Sequence, residues 1–116
     1  MDLKERSYKY SLTIIAFIDK LSKDMSSQII SRQLLRAATS IGANIIEAQA
    51  SPSKRDFTNF FNHALKSANE SRYWLELLKD SSKADRDIIE PLLRETKEIA
   101  NILGSSILTL RGKRRF

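Results

Sequence analysis

His63 is the one imidazole in a chain of 116 residues, and Cys is absent. Those two facts decide most of the chemistry open to the protein. A di-iron centre in a helical bundle takes Glu-x-x-His from two helices and a Glu from each of the others, and no Glu-x-x-His run occurs. Zinc bound by imidazole or thiolate lacks its ligands for the same reason. Ser67 follows His63 by one helical turn, the spacing of a nucleophile beside its base. A helix interior, however, has no open N–H groups with which to hold an oxyanion. No glycine-rich phosphate loop is present. These absences predict a non-enzymatic protein that uses no metal and no cofactor.

Two polar lines cross otherwise apolar segments. Arg36, Ser40, Asn44 and Glu47 form one, and His63, Ser67 and Glu70 form the other, all at steps of three or four residues. Such lines could face each other within the bundle or across a contact between subunits. A buried polar group left unpaired costs about 1–3 kcal/mol, so the expected pairs are Arg36 with a carboxylate and Asn44 with Ser67. The lines read either as a hydrogen-bond network that fixes register or as a ligand site.

The net charge of +6 invites a nucleic-acid reading. Arg111, Lys113, Arg114 and Arg115 carry four of those charges, which leaves two for residues 1–110. The body is nearly balanced, and residues 111–116 form a basic tail. The candidate contacts are Arg32 and Arg36 one turn apart, Lys54 and Arg55 at a helix start, Arg72, and the four cations of the tail. Helix N–H groups near Ser53 could add to them, because helix N-termini attract anions. Acidic residues interleave with these cations, so a single subunit is weakly basic. Assembly of several copies would multiply the effect.

The elements that must position these residues are helices. Gly and Pro are scarce, five residues in all, in a chain rich in good helix formers. A first helix is expected over about Lys4–Lys23, with Tyr10, Ile14, Phe17, Ile18 and Leu21 inward. Tyr8, Leu12 and Ile15 make a second apolar line that one wet helix does not require. A second helix is expected over about Gln28–Gln49, capped by Ser26 or Ser27, with Leu34, Ala38, Ile41, Ile45 and Ala48 inward. Gly42 weakens a helix interior by about 1 kcal/mol, so it should sit where a side chain would collide.

Ser53-Lys54-Arg55-Asp56 reads as a capping box. It opens a third helix to about Asp80, with Phe57, Phe61, Ala64, Ala68, Ser71, Leu75 and Leu78 in strict bundle spacing. Phe60, Trp74 and Leu77 stand off that line. The fourth segment places Ile89, Leu92, Thr96, Ile99, Leu103, Ser106 and Leu110 inward. Pro91 must either follow closely on the helix start, near Asp87, or mark a kink after a turn over 83–90; the kink is favoured. Short turns make neighbouring helices antiparallel. The fold predicted is all-α, an up-down-up-down antiparallel four-helix bundle over residues 1–110. The N-terminal segment is an amphipathic helix rather than a signal peptide, and no stretch reaches the ~18 apolar residues of a membrane span. The expected location is cytoplasmic.

The run Gln33-Leu34-Leu35-Arg36-Ala37-Ala38-Thr39-Ser40-Ile41-Gly42-Ala43-Asn44-Ile45-Ile46-Glu47 resembles the signature of a bacterial family. That family includes proteins encoded in intervening sequences of 23S rRNA genes and the accessory protein of diversity-generating retroelements. Its pattern, Gln-x-x-Arg-Ala-x-x-Ser-Ile-x-x-Asn-Ile-x-Glu-Gly, is followed through Glu47. Ser53, Asp56 and Phe57, then Ala64, Ser67 and Glu70, match its later positions. Three residues depart: Ala48 and Lys66 replace glycines, and Gly42 stands where Pro is frequent. The resemblance implies a four-helix bundle and a homo-oligomer, pentameric in known members. It also implies RNA or DNA, or a protein such as a reverse transcriptase, as a partner beside the sister chains.

Overall fold

The computed structural model describes residues 1–112. Four helices follow in order: α1 (Leu3–Asp19), α2 (Met25–Ala50), α3 (Lys54–Asp80) and α4 (Arg86–Leu110). No strand occurs among the described residues. α2 packs along α1 and α3, α3 packs along α4, and α1 meets α4 over a short stretch; the backbones of the diagonal pairs stay apart. Each short connection reverses the chain, so the bundle runs up-down-up-down, as the sequence predicts. Its long axis is 46 Å, in keeping with a 27-residue α3 rising ~1.5 Å per residue.

One apolar stripe from each helix makes the core. α1 supplies Tyr10, Ile14 and Phe17, with Leu21 just past its end. α2 supplies Leu34, Ala38, Ile41, Ile45 and Ala48, and α3 supplies Phe61, Ala64, Ala68, Leu75 and Leu78. All of these lie on the predicted lines. α4 departs at its end: Ile107 is buried, whereas Ser106 and Leu110 are only partly so. A straight helix turns away from a strict seven-residue repeat by about 20° per heptad, so the inward position moves on by one residue.

The helix ends correct several expectations. α1 stops at Asp19 rather than Lys23, and α2 begins at Met25, three residues early. The cap of α2 is Asp24, not Ser26 or Ser27: its carboxylate accepts from the Ser27 amide at 3.4 Å and from Lys83 Nζ at 3.0 Å. A carboxylate outcompetes a hydroxyl here because it also meets the positive end of the helix dipole. Hydrogen bonds from Ser22, Ser27 and Lys83 hold its carboxyl well below the usual range. Ser53 does cap α3, accepting from the Asp56 amide at 3.1 Å, but the reciprocal half of the capping box is not formed. α4 is one helix from Arg86 through Pro91, so the separate turn over 83–90 is absent. The bond that Pro91 cannot donate would have gone to the Asp87 carbonyl, in an exposed first turn where water can reach it.

α1 adds polar ties to its buried apolar stripe. Its Ser7 hydroxyl lies 3.2 Å from where a Cβ on Gly42 would stand, so the glycine permits the close approach of α1 and α2. Thr96 donates its proton to the Leu92 carbonyl, so Tyr10 donates to Thr96, at 2.7 Å. Arg6 makes a two-pronged ion pair with Glu95 at 2.7 Å and also reaches Glu98; the Glu95 hydrogen bond is the chief reason its guanidinium is held more basic than usual. These ties set the register of α1 against α4. α1 has 17 residues against 25–27 in the others, so it ends about two turns short of them. Beyond its start, α4 and the beginning of α3 border an open notch of about 630 Å³ lined by Phe57, Phe61, Ile102, Ser106 and Leu110.

Two measurements check this packing. Burial pushes the Tyr10 phenol up to about 12. The folded chain therefore holds that proton more tightly than the unfolded chain, and the resulting stability is complete below about pH 10 and fades as pH climbs towards 12. Urea unfolding across this range should show that loss, and Tyr10→Phe should remove it. Ser82 ends α3 in the left-handed region, φ 59°, with Lys83 donating to the Leu78 carbonyl and Ser82 to that of Lys79. Glycine is free of the Cβ penalty there, so Ser82→Gly should raise unfolding stability by about 1 kcal/mol.

Candidate functional site

The two polar lines come together along the outer rim of the seam between α2 and α3. Arg36 donates to Glu70 at 3.2 Å and to Gln33 at 3.0 Å. Glu70 also accepts the Trp74 indole N–H at 3.0 Å. Farther along, Ser67 donates to the Ser40 hydroxyl at 3.1 Å, and Asn44 donates to the same oxygen at 3.0 Å and to the Ser40 carbonyl at 2.9 Å. The expected pairing of Arg36 with a carboxylate is therefore present. Asn44 and Ser67 meet only through Ser40, because one turn of α2 brings Ser40 closer to both. Glu47 and His63 lie exposed at the end of the lines.

Chemically, this arrangement consumes its own donors and acceptors. The Ser67 proton goes to Ser40, and His63 is exposed. Among the described residues no cluster of His, Asp and Glu could hold a metal. The Arg36–Glu70 pair is largely exposed, and such pairs contribute about 0–1 kcal/mol. Lys66, one of the two replaced glycines, points into solvent, and Ala48 is buried in the seam without displacing it.

The predicted cations fall into separate groups. Arg36 and Arg72 are matched by Glu70 and Glu76. Arg32 is exposed toward the start of α2, beside Ile18, Leu21 and Leu35. Lys54 and Arg55 open α3, and Arg111 caps the end of α4. Antiparallel packing brings these last three to one end of the bundle, where Phe57 and Leu110 share the notch. All three are exposed, and none pairs with a carboxylate among the described residues. Lys113, Arg114 and Arg115 lie outside the described residues.

Large apolar residues of α1 and α2 also face solvent. Tyr8, Leu12 and Ile15 of α1 and Leu35 and Ile46 of α2 are 37–63% exposed. The second apolar line of α1 is thus left over after the core is complete. Trp74 is half-buried, held by Glu70 and packed edge-on to Tyr73 at 5.1 Å. Among the described residues no helix is long and apolar enough to cross a membrane.

Sequence reasoning missed Asp24, although an Asp just before a Ser-rich helix start carries a capping signal. It also missed the pairing of Arg6 with Glu95, since residues 89 apart leave no local trace. If the rim network is structural, Ser40→Ala should destabilise the fold by about 1–2 kcal/mol, because Asn44 and Ser67 lose a shared acceptor. Arg36→Ala should cost less than about 1 kcal/mol. Urea denaturation of both variants checks the order.

No curated protein matches the chain. Among solved structures, it is similar to the crystal structure of a protein with unknown function from the S23 ribosomal protein family of Bacteroides thetaiotaomicron. The identity is 39% over 91% of this chain and 98% of that one, with a TM-score of 0.86. The model of the family described as 23S rRNA-intervening sequence protein matches residues 1–105. With the signature run on α2 and its matching positions on α3 in one bundle, the chain belongs to the 23S rRNA-intervening sequence protein family.

Proposed function

We propose that the protein is a non-enzymatic, cytoplasmic homo-oligomer that binds RNA or DNA at the basic end of its bundle. The observation that carries this reading is the convergence of Lys54, Arg55 and Arg111, all without carboxylate partners among the described residues. In sequence, Lys113, Arg114 and Arg115 follow directly. Phosphates bind such unmatched cations with release of counterions. The exposed Tyr8, Leu12, Ile15, Leu35 and Ile46 support self-association, since apolar groups gathered on a surface mark contact sites. The family resemblance makes five the expected number of copies. Repetition around a ring would then sum cations that are few on one subunit.

The α1–α2 face also supports a second reading, in which the assembly is a scaffold that docks another protein, for example a reverse transcriptase. The two readings separate on one comparison. Binding of labelled RNA and DNA should weaken steeply between ~50 and ~200 mM salt, and a chain ending at Leu110 should bind more weakly and with a shallower salt slope. Ile46→Glu should lower the solution mass and, with it, the affinity. No binding at low salt removes the first reading and leaves the scaffold.

A further inference from the structure

The notch at the short end of α1 has a chemistry distinct from that of the exposed apolar residues of α1 and α2. Its floor holds Phe57 and Phe61, whose rings stack at 4.6 Å between centroids. Ile102 and Leu110 add apolar wall, while Asn101 and Ser106 bring amide and hydroxyl groups. Lys54 stands three and seven residues before the two Phe, on the same helical face. Arg111 follows Leu110 directly, and both cations are exposed and free of carboxylate partners among the described residues. An aromatic floor, polar groups on the wall and cations at the rim match the parts of a nucleotide: base, base edge and phosphate. A volume of about 630 Å³ exceeds that of a single base.

Building on the nucleic-acid reading, we infer that this notch takes an unpaired base, so that the ligand is single-stranded nucleic acid rather than a duplex. In a duplex the bases are stacked inside, and only the phosphates could meet Lys54, Arg55 and Arg111. A single strand can turn a base onto the Phe57 ring while its flanking phosphates stay on the cations. Stacking tolerates any base, so the preference should be for strandedness more than for sequence. The notch exists because α1 is two turns short, and it is filled by no side chain of the described residues.

The test uses the full chain and a labelled 20-mer of mixed sequence, presented as single strand, as duplex, and as an abasic single strand of equal length. Anisotropy at ~50 mM salt should show the single strand bound on the order of tenfold more tightly than either competitor. Ser106→Phe fills the notch without removing a core residue, and Phe57→Ala removes the stacking ring. Each should erase the single-strand advantage and leave duplex affinity unchanged, with the thermal midpoint of Ser106→Phe confirming that the fold survives. Equal affinity for single strand and duplex, or a silent Ser106→Phe, overturns the base-binding notch while duplex binding still upholds the basic end. A Ser106→Phe chain of lower solution mass with unaltered nucleic-acid binding makes the notch a contact between copies and overturns the inference. Binding of none of the three ligands overturns both readings at once.

Discussion

Everything in this protein depends on four apolar stripes closing on one another. Ile14, Ile41, Leu75 and Leu103 are fully buried, one from each helix, and each such side chain contributes about 1.5–3 kcal/mol when removed from water. Every other feature is arranged around that seam. Polar rim groups pair along its edge, and caps close its helix ends. What remains apolar outside it is surplus to folding. That surplus lies chiefly on α1 and α2, where Tyr8, Leu12, Ile15, Leu35 and Ile46 keep facing solvent after the core is complete.

The weakest side of the ring is the one between α1 and α4. There the bundle relies on specific polar contacts instead of a continuous apolar seam: Arg6 on Glu95 and Glu98, and Tyr10 on Thr96. Such contacts are directional, so they fix where α1 sits along α4 more sharply than oily packing would. Gly42 allows the matching closeness to α2. Because the register is fixed and α1 is short, the shortfall appears at one defined place. It leaves the half-buried Phe57 and the end of α4 bordering open space, at the same end as the cations Lys54, Arg55 and Arg111. A notch and a basic rim thus arise together from a difference in helix length.

The polar signature on α2 is a structural device first. Ser40 gathers protons from Asn44 and Ser67, and Glu70 gathers Arg36 and Trp74. Two of these bonds, Ser67 to Ser40 and Arg36 to Glu70, cross between the helices and fix the position of α3 along α2, whose core faces carry small residues such as Ala38, Ala64 and Ala68 that alone would tolerate sliding. This gives the family motif a physical purpose without any ligand.

How much was legible in the sequence follows from the range of each interaction. The four helices, their inward faces and the Ser53 cap all rest on neighbours within a turn or two, where periodicity and capping chemistry act, whereas Gly42 marked a close approach whose partner, Ser7 of α1, had no local trace. The strict four–three run from Phe57 to Leu78 suffices to name a bundle helix. Contacts between distant residues followed no local rule. Only the packed structure placed Arg6 on Glu95, put Asp24 on Lys83 and separated the matched cations Arg36 and Arg72 from Lys54, Arg55 and Arg111 at one end and Arg32 near the other. Sequence determined which faces are greasy, because that is a property of spacing along one helix. Tertiary structure decided which charges are neutralised and where a notch opens, because those depend on how far one helix reaches along another.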